Sequence, residues 1–186
     1  MSVNQTTHNS LILWDGSLTA GTPETSVQEM EQLLKKARDN QNTVLAFSKM
    51  TRLLLHGYRV TDLIWKHPSP CLLKIQNYPI HVGPLCLMGN VHVAKLTEDR
   101  YTFRLDIDKQ LSHKQSIEAV QKLLGNDLIL QSYPETLRLA HIFSTFTANE
   151  VLGIQRCIAK ESNMRIITRP NIRRILFGRF GKGLEG

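Results

Sequence analysis

Apolar residues recur along this chain with a period near 3.6 towards its two ends and near 2 through its middle, which predicts helices flanking a sheet. Ser26 and Glu29 stand as a capping box, the hydroxyl and the carboxylate each taking a free backbone N–H at a helix start. Val27, Met30, Leu33, Leu34 and Ala37 follow at helical spacing, and Asp39-Asn40 stops the run. A second helix is expected from Thr43 to His56, with Val44, Phe47, Met50 and Leu54 on one face and Gly57 ending it.

The middle reads as strands. Cys71 to Ile75 is short and apolar between prolines, and Val91–Leu96 with Tyr101–Ile107 flank the polar Thr97-Glu98-Asp99-Arg100 as a hairpin. In the second arm Tyr101, Phe103, Leu105 and Ile107 alternate with Thr102, Arg104 and Asp106, so one face of the sheet is expected to be wet. Two more capping boxes, Ser112 with Gln115 and Thr147 with Glu150, announce helices carrying Ile117, Val120, Leu123 and Leu124, then Val151, Ile154 and Ile158. Leu128–Leu130 reads as a strand, and a helix is expected to start at Pro134. Met164 to Thr168 reads as a further strand. The expected fold is α+β: a single domain with a central antiparallel sheet and N-terminal and C-terminal helices.

Boundaries follow from composition. Residues 1–25 read as a flexible N-terminal leader around one apolar island, Leu11, Ile12, Leu13 and Trp14, which docks back onto the domain or onto a neighbouring molecule. Residues 26–168 form the globular α+β domain and 169–186 a basic C-terminal segment. Three cysteines, Cys71, Cys86 and Cys157, at unrelated spacings make no disulfide framework, which suits a reducing compartment, cytoplasmic or nuclear. No secretory signal, spanning segment or lipidation motif is expected, so any membrane contact would be peripheral.

Charge changes the picture most. From Arg156 to Gly186 eight basic residues face two acids, which is six of the seven formal positive charges of the chain. Arg165, Arg169, Arg173, Arg174, Arg179 and Lys182 are the candidate anion-binding residues, interleaved with isoleucines, Phe177 and Phe180. Guanidinium forks suit bidentate phosphate contacts, and the aromatics could stack on bases. The plainer alternative is that the isoleucines pack into the core and the arginines are solvated. Gly178-Arg179-Phe180-Gly181 matches the G-x-x-G clamp of KH domains over four residues only, and reads as chance.

Candidate chemistry is thin. Cys71, His81, Cys86 and His92 are of ligand type, but none stand two to four apart as structural zinc sites require. Asp106 and Asp108 share a strand face that a solvated hairpin edge explains, and His67, His113 and His141 read as surface or helix-face residues. No G-x-S-x-G, H-E-x-x-H or C-x-x-C occurs. The favoured reading is a non-enzymatic protein that binds a polyanion, RNA or ribonucleoprotein by preference, without cofactor, metal or small-molecule substrate. The alternative is a self-associating peripheral scaffold on acidic membrane, with Leu11–Trp14 as the contact. In being small, basic and cysteine-poor without a spanning helix, the chain resembles the matrix proteins of enveloped RNA viruses, which implies a bridge between acidic lipid and nucleocapsid. That resemblance is of general character; the P-P-x-Y and P-[ST]-A-P motifs are absent. A small enzyme using His/Asp chemistry ranks third.

Overall fold

The structure is a computed structural model that describes residues 7–23, 25–79, 81–82 and 84–164. It divides into two compact units, residues 1–142 and 143–186. The chain opens with β1 (Leu11–Asp15), β2 (Thr19–Ala20), α1 (Val27–Asp39), β3 (Thr43–Ser48), β4 (Leu54–Leu55), β5 (Tyr58–Arg59) and a 3-10 turn (Val60–Leu63). Then come β6 (Cys71–Lys74), β7 (His81–Val82), β8 (Leu85–Leu87), β9 (Gly89–Lys95) and β10 (Phe103–Asp108). The described part closes with α2 (His113–Asn126), β11 (Ile129–Leu130), β12 (Tyr133–Pro134), α3 (Glu135–Ser144) and α4 (Ala148–Glu161). The α+β class is therefore as expected. All three capping boxes are closed, with Ser26, Ser112 and Thr147 each accepting from the backbone N–H three residues on.

The central sheet has five strands in the order β1-β3-β10-β9-β6. It is mixed and not purely antiparallel, because β1 runs parallel to β3 while the other neighbours are antiparallel. This corrects the flexible-leader reading. Leu11, Ile12, Leu13 and Trp14 pair with Thr43 to Ala46, and Thr19–Ala20 pair with Leu87 and Cys86 in a second, three-stranded sheet. Of the two alternatives for the apolar island, it docks back onto its own domain. Four consecutive apolar residues are short for a helix and long enough for a strand, and a parallel edge strand needs only the crossover that α1 supplies.

The helix expected over Thr43–His56 is also corrected. Thr43–Ser48 is a strand, and Gly57, at φ +84°, turns the β4–β5 hairpin instead of capping a helix. The run from Val44 to Phe47 is apolar without a break because both faces of β3 are covered, a pattern that mimics a buried helix. Met50, placed on the helix's apolar face by its spacing, is exposed.

Over the central strands β3, β9 and β10 both faces of the sheet are covered. On one, Leu45, Phe47, Leu105, Ile107 and Ala94 pack with Ala119, Val120 and Leu123 of α2 and with Tyr133 and Leu137. On the other, Val44 and Ala46 pack with Met30, Leu34 and Ala37 of α1, and Val91 and Val93 with Leu53, Val60 and Ile64. The wet face predicted for β10 is therefore a correction: Arg104, Asp106 and Asp108 are all buried. Arg104 donates from Nε to Asp106 Oδ1 at 2.7 Å and from Nη2 to Oδ2 at 2.6 Å, a bidentate pair along one strand face. The Leu18 backbone N–H donates to Asp106 Oδ2 at 3.0 Å, and Arg104 Nη2 reaches Thr19 Oγ1 at 3.3 Å. Alternation does not distinguish a solvated charge from one that is neutralised in place.

Asp106→Ala would leave the Arg104 guanidinium buried without its partner, and should cost about 3–5 kcal/mol in urea unfolding. The paired replacement Arg104→Met with Asp106→Leu should lie closer to the parent chain, since it removes both desolvation penalties together.

Candidate functional site

The six basic residues proposed for anion binding, Arg165, Arg169, Arg173, Arg174, Arg179 and Lys182, lie outside the described residues, as does the strand expected over Met164–Thr168 beyond its first residue. The two basic residues before them, Arg156 and Lys160, are exposed on α4. On the same helix Val151, Ile154 and Ile158 are exposed as well.

Several cations in the first unit are committed to the fold. Arg38 of α1 pairs with Asp108, whose other oxygen caps the Gln110 N–H. Lys95, buried on β9, donates to the carbonyls of Trp65 and His67 at 3.0 and 2.7 Å. Lys49 Nζ and His141 Nδ1 meet Asp15 Oδ2 at 3.0 and 2.7 Å, while the Tyr133 hydroxyl donates to Asp15 Oδ1 at 3.3 Å. That cluster ties the ends of β1 and β3 to α3. Burial, followed by the Asp15 charge, pushes the Tyr133 phenol upward, so it stays protonated and serves as a donor. Asp106 and Asp108 are not the solvated pair that their spacing suggests; each holds an arginine inside the fold. Burial raises the Asp106 carboxyl, against the pull of Arg104 and of the Leu18 amide.

His92 lies on β9 and is 1% exposed, with its Nδ1 3.0 Å from the Asn90 carbonyl. Burial first, then the nearby charges of Lys74 and His113, lower its pKa to about 4 against two raising backbone contacts. It is neutral at physiological pH and is a core residue. Among the described residues no three His, Cys, Asp or Glu side chains gather as a metal site would require. Cys71 and Cys86 are half-buried and Cys157 is exposed, all as free thiols. No helix among the described residues is long and apolar enough to cross a membrane.

One feature of the surface went unread in the sequence. A cavity of about 450 Å³ opens where β6 ends and β9 begins, lined by Lys74 to Pro79, Leu87, Gly89, Asn90, Val91 and Lys109. Ile75, Leu87 and Val91 are buried and form its apolar part, and the Ile75 N–H bonds to the Val91 carbonyl at 2.9 Å. Lys74 and Lys109 are its ionic side chains, and no carboxylate lines it. The readable signal was an absence of acids: between Asp62 and Glu98 the chain has no Asp or Glu, a longer gap than the one between Glu161 and Glu185.

Linkage at His92 sets an acid-side stability loss. The unfolded imidazole, near pH 6.5, takes a proton that the folded one refuses until about pH 4, so this contribution is full above 6.5 and lost as pH falls between the two. The loss amounts to at most about 3 kcal/mol. Chemical unfolding from pH 7.5 to 4 should show a shallower decline for His92→Gln than for the parent; equal slopes would refute the assignment. No protein-family model, no curated protein and no solved structure matches the chain.

Proposed function

We propose that this is a non-enzymatic binding protein that docks on a polyanion, with RNA or ribonucleoprotein preferred, through the arginine-rich segment following α4. The observation that carries this reading is the segregation of charge. Six of the seven net positive charges belong to residues 156–186, where no acid falls between Glu161 and Glu185. In the first unit five of the fifteen basic residues, Arg38, Lys49, Lys95, Arg104 and Arg138, are each held by a carboxylate or a carbonyl. Basic residues held in the fold offer little to a partner, whereas Arg169, Arg173, Arg174 and Arg179 have no acid within five residues in sequence. Guanidinium over ammonium, six to two across residues 156–186, favours phosphate oxygens.

A second reading, self-association through β1, draws on the sheet edge. Thr43 N–H bonds to the Ser10 carbonyl and Gly16 N–H to the Phe47 carbonyl. Period-two alternation then turns the backbone groups of Leu11, Leu13 and Asp15 away from β3, on the outer side of the terminal strand. The opposite edge strand, β6, is bounded by Pro70 and ends in Lys74, the residues that blunt pairing; β1 has neither.

Two outcomes follow. Binding of single-stranded RNA by the full chain should weaken with salt at a log–log slope of about −4, the value for roughly six phosphate contacts. Replacing Arg165, Arg169, Arg173, Arg174, Arg179 and Lys182 together by Gln should remove most of that slope, and an unchanged slope sinks the polyanion reading. Co-sedimentation with anionic but not neutral vesicles, in place of RNA binding, would shift the partner to a membrane. For the edge, sedimentation of the full chain should show a concentration-dependent dimer that Leu13→Pro abolishes. Proline there deletes an outward N–H and also trims the Leu13 side chain that packs on the core, so circular dichroism must show that the fold survives.

A further inference from the structure

We infer that the cavity between the end of β6, the start of β9 and Lys109 is a nucleotide subsite, holding one phosphate-bearing unit of a nucleic-acid strand against the folded unit. This inference rests on the polyanion reading above and adds a second contact point to it.

Charge is the first argument. The cavity has two ammonium groups, Lys74 and Lys109, and no carboxylate among its lining residues. Lys109 Nζ donates to the Leu87 carbonyl, which fixes the stem and leaves two of its three protons for a ligand. The nearest acid in sequence, Asp108, is already occupied by Arg38 and the Gln110 amide. An anion entering here meets uncompensated positive charge, and a cation would be repelled.

Hydrogen-bonding capacity is the second. Gln76, Asn77 and Asn90 contribute three side-chain amides to the lining, and none has a side-chain hydrogen bond among the described residues. Amides offer both donors and acceptors, the pattern that base edges and sugar hydroxyls require.

Size and apolar surface are the third. At about 450 Å³ the cavity lies within the range of small-ligand pockets and far exceeds a lone phosphate group. Ile75, Leu87 and Val91 supply the apolar contact, and the hydroxyl of Tyr78, bonded to the Leu54 carbonyl at 3.1 Å, holds an aromatic ring in the lining. Phosphate, sugar and base each find a matching group, which a free inorganic anion would not exploit.

The test introduces a charge with almost no change of shape. Asn77→Asp and Asn90→Asp are near-isosteric and place a carboxylate in the lining; Asn77 stands at φ +55°, which Asp tolerates. In the full chain each should weaken binding of a short single-stranded RNA about tenfold, the effect of one lost charge-assisted contact. Titration with adenosine monophosphate should perturb the backbone amide resonances of Asn77, Asn90 and Val91, with inorganic phosphate weaker. Equal response to phosphate and nucleotide overturns the nucleotide subsite in favour of a simple anion site. If both Asp variants bind RNA like the parent while the six-residue Gln variant does not, the cavity inference fails and the segment reading stands. If neither set changes binding, both fail. Circular dichroism melts of the Asp variants separate a local charge effect from unfolding.

Discussion

Burying Arg104 and Asp106 on the same strand face is the constraint around which the first unit is arranged. Two ions taken out of water cost several kcal/mol each unless every lone pair and proton finds a partner. Here the fork of the guanidinium fills both carboxylate oxygens, the Leu18 amide adds a further donor to Asp106, and the Thr19 hydroxyl accepts from Arg104. The pair thus fixes the β1–β2 connection against β10. From there β2 pairs with β8, and the Met88 N–H bonds to the Leu18 carbonyl at 2.7 Å. Gly89 follows where space is tight: a Cβ there would stand 3.1 Å from Asp106 Cβ, from the Ile107 carbonyl oxygen and from Leu18 Cδ1. Leu87 and Gly89 belong to the cavity lining, so a buried ion pair positions the wall of a surface pocket.

Much of the architecture was legible where local chemistry decides the outcome. Each capping box marks a helix start, and the hairpin of β9 and β10 is where alternation places it. The failures share one cause. Sequence periodicity reports the contrast between a residue's two faces, and it goes silent when both are covered. β3 lost its contrast by being apolar throughout and was mistaken for a helix. β10 kept its contrast, but its polar face is an internal salt bridge instead of water. The apolar island at Leu11–Trp14 could not be assigned from neighbours in sequence because its partner, β3, lies beyond a crossover helix.

The candidate sites divide the same way. A run of arginines is visible to counting, and so was singled out. The cavity is assembled from β6, the following turn, β8, β9 and the residue after β10, and no short motif spans those pieces. Its trace in the sequence is negative, a stretch without acids, and becomes meaningful only when Lys109 is brought from elsewhere to close it. Other charges of the first unit hold elements together: Arg38 ties α1 to β10, and the Asp15 cluster ties α3 to the β1 and β3 ends.

The parallel pairing of β1 with β3 has a consequence for how the chain is made. β1, α1 and β3 all lie within residues 11–48 and can assemble as soon as Ser48 has left the ribosome. The other side of β3 must wait for β10, which is synthesised only after residues 49–102. At ordinary elongation rates that interval is on the order of several seconds. Throughout it a nascent strand with five of six residues destined for the interior has one flank vacant, and translation speed across that stretch governs how long it is open to errant partners.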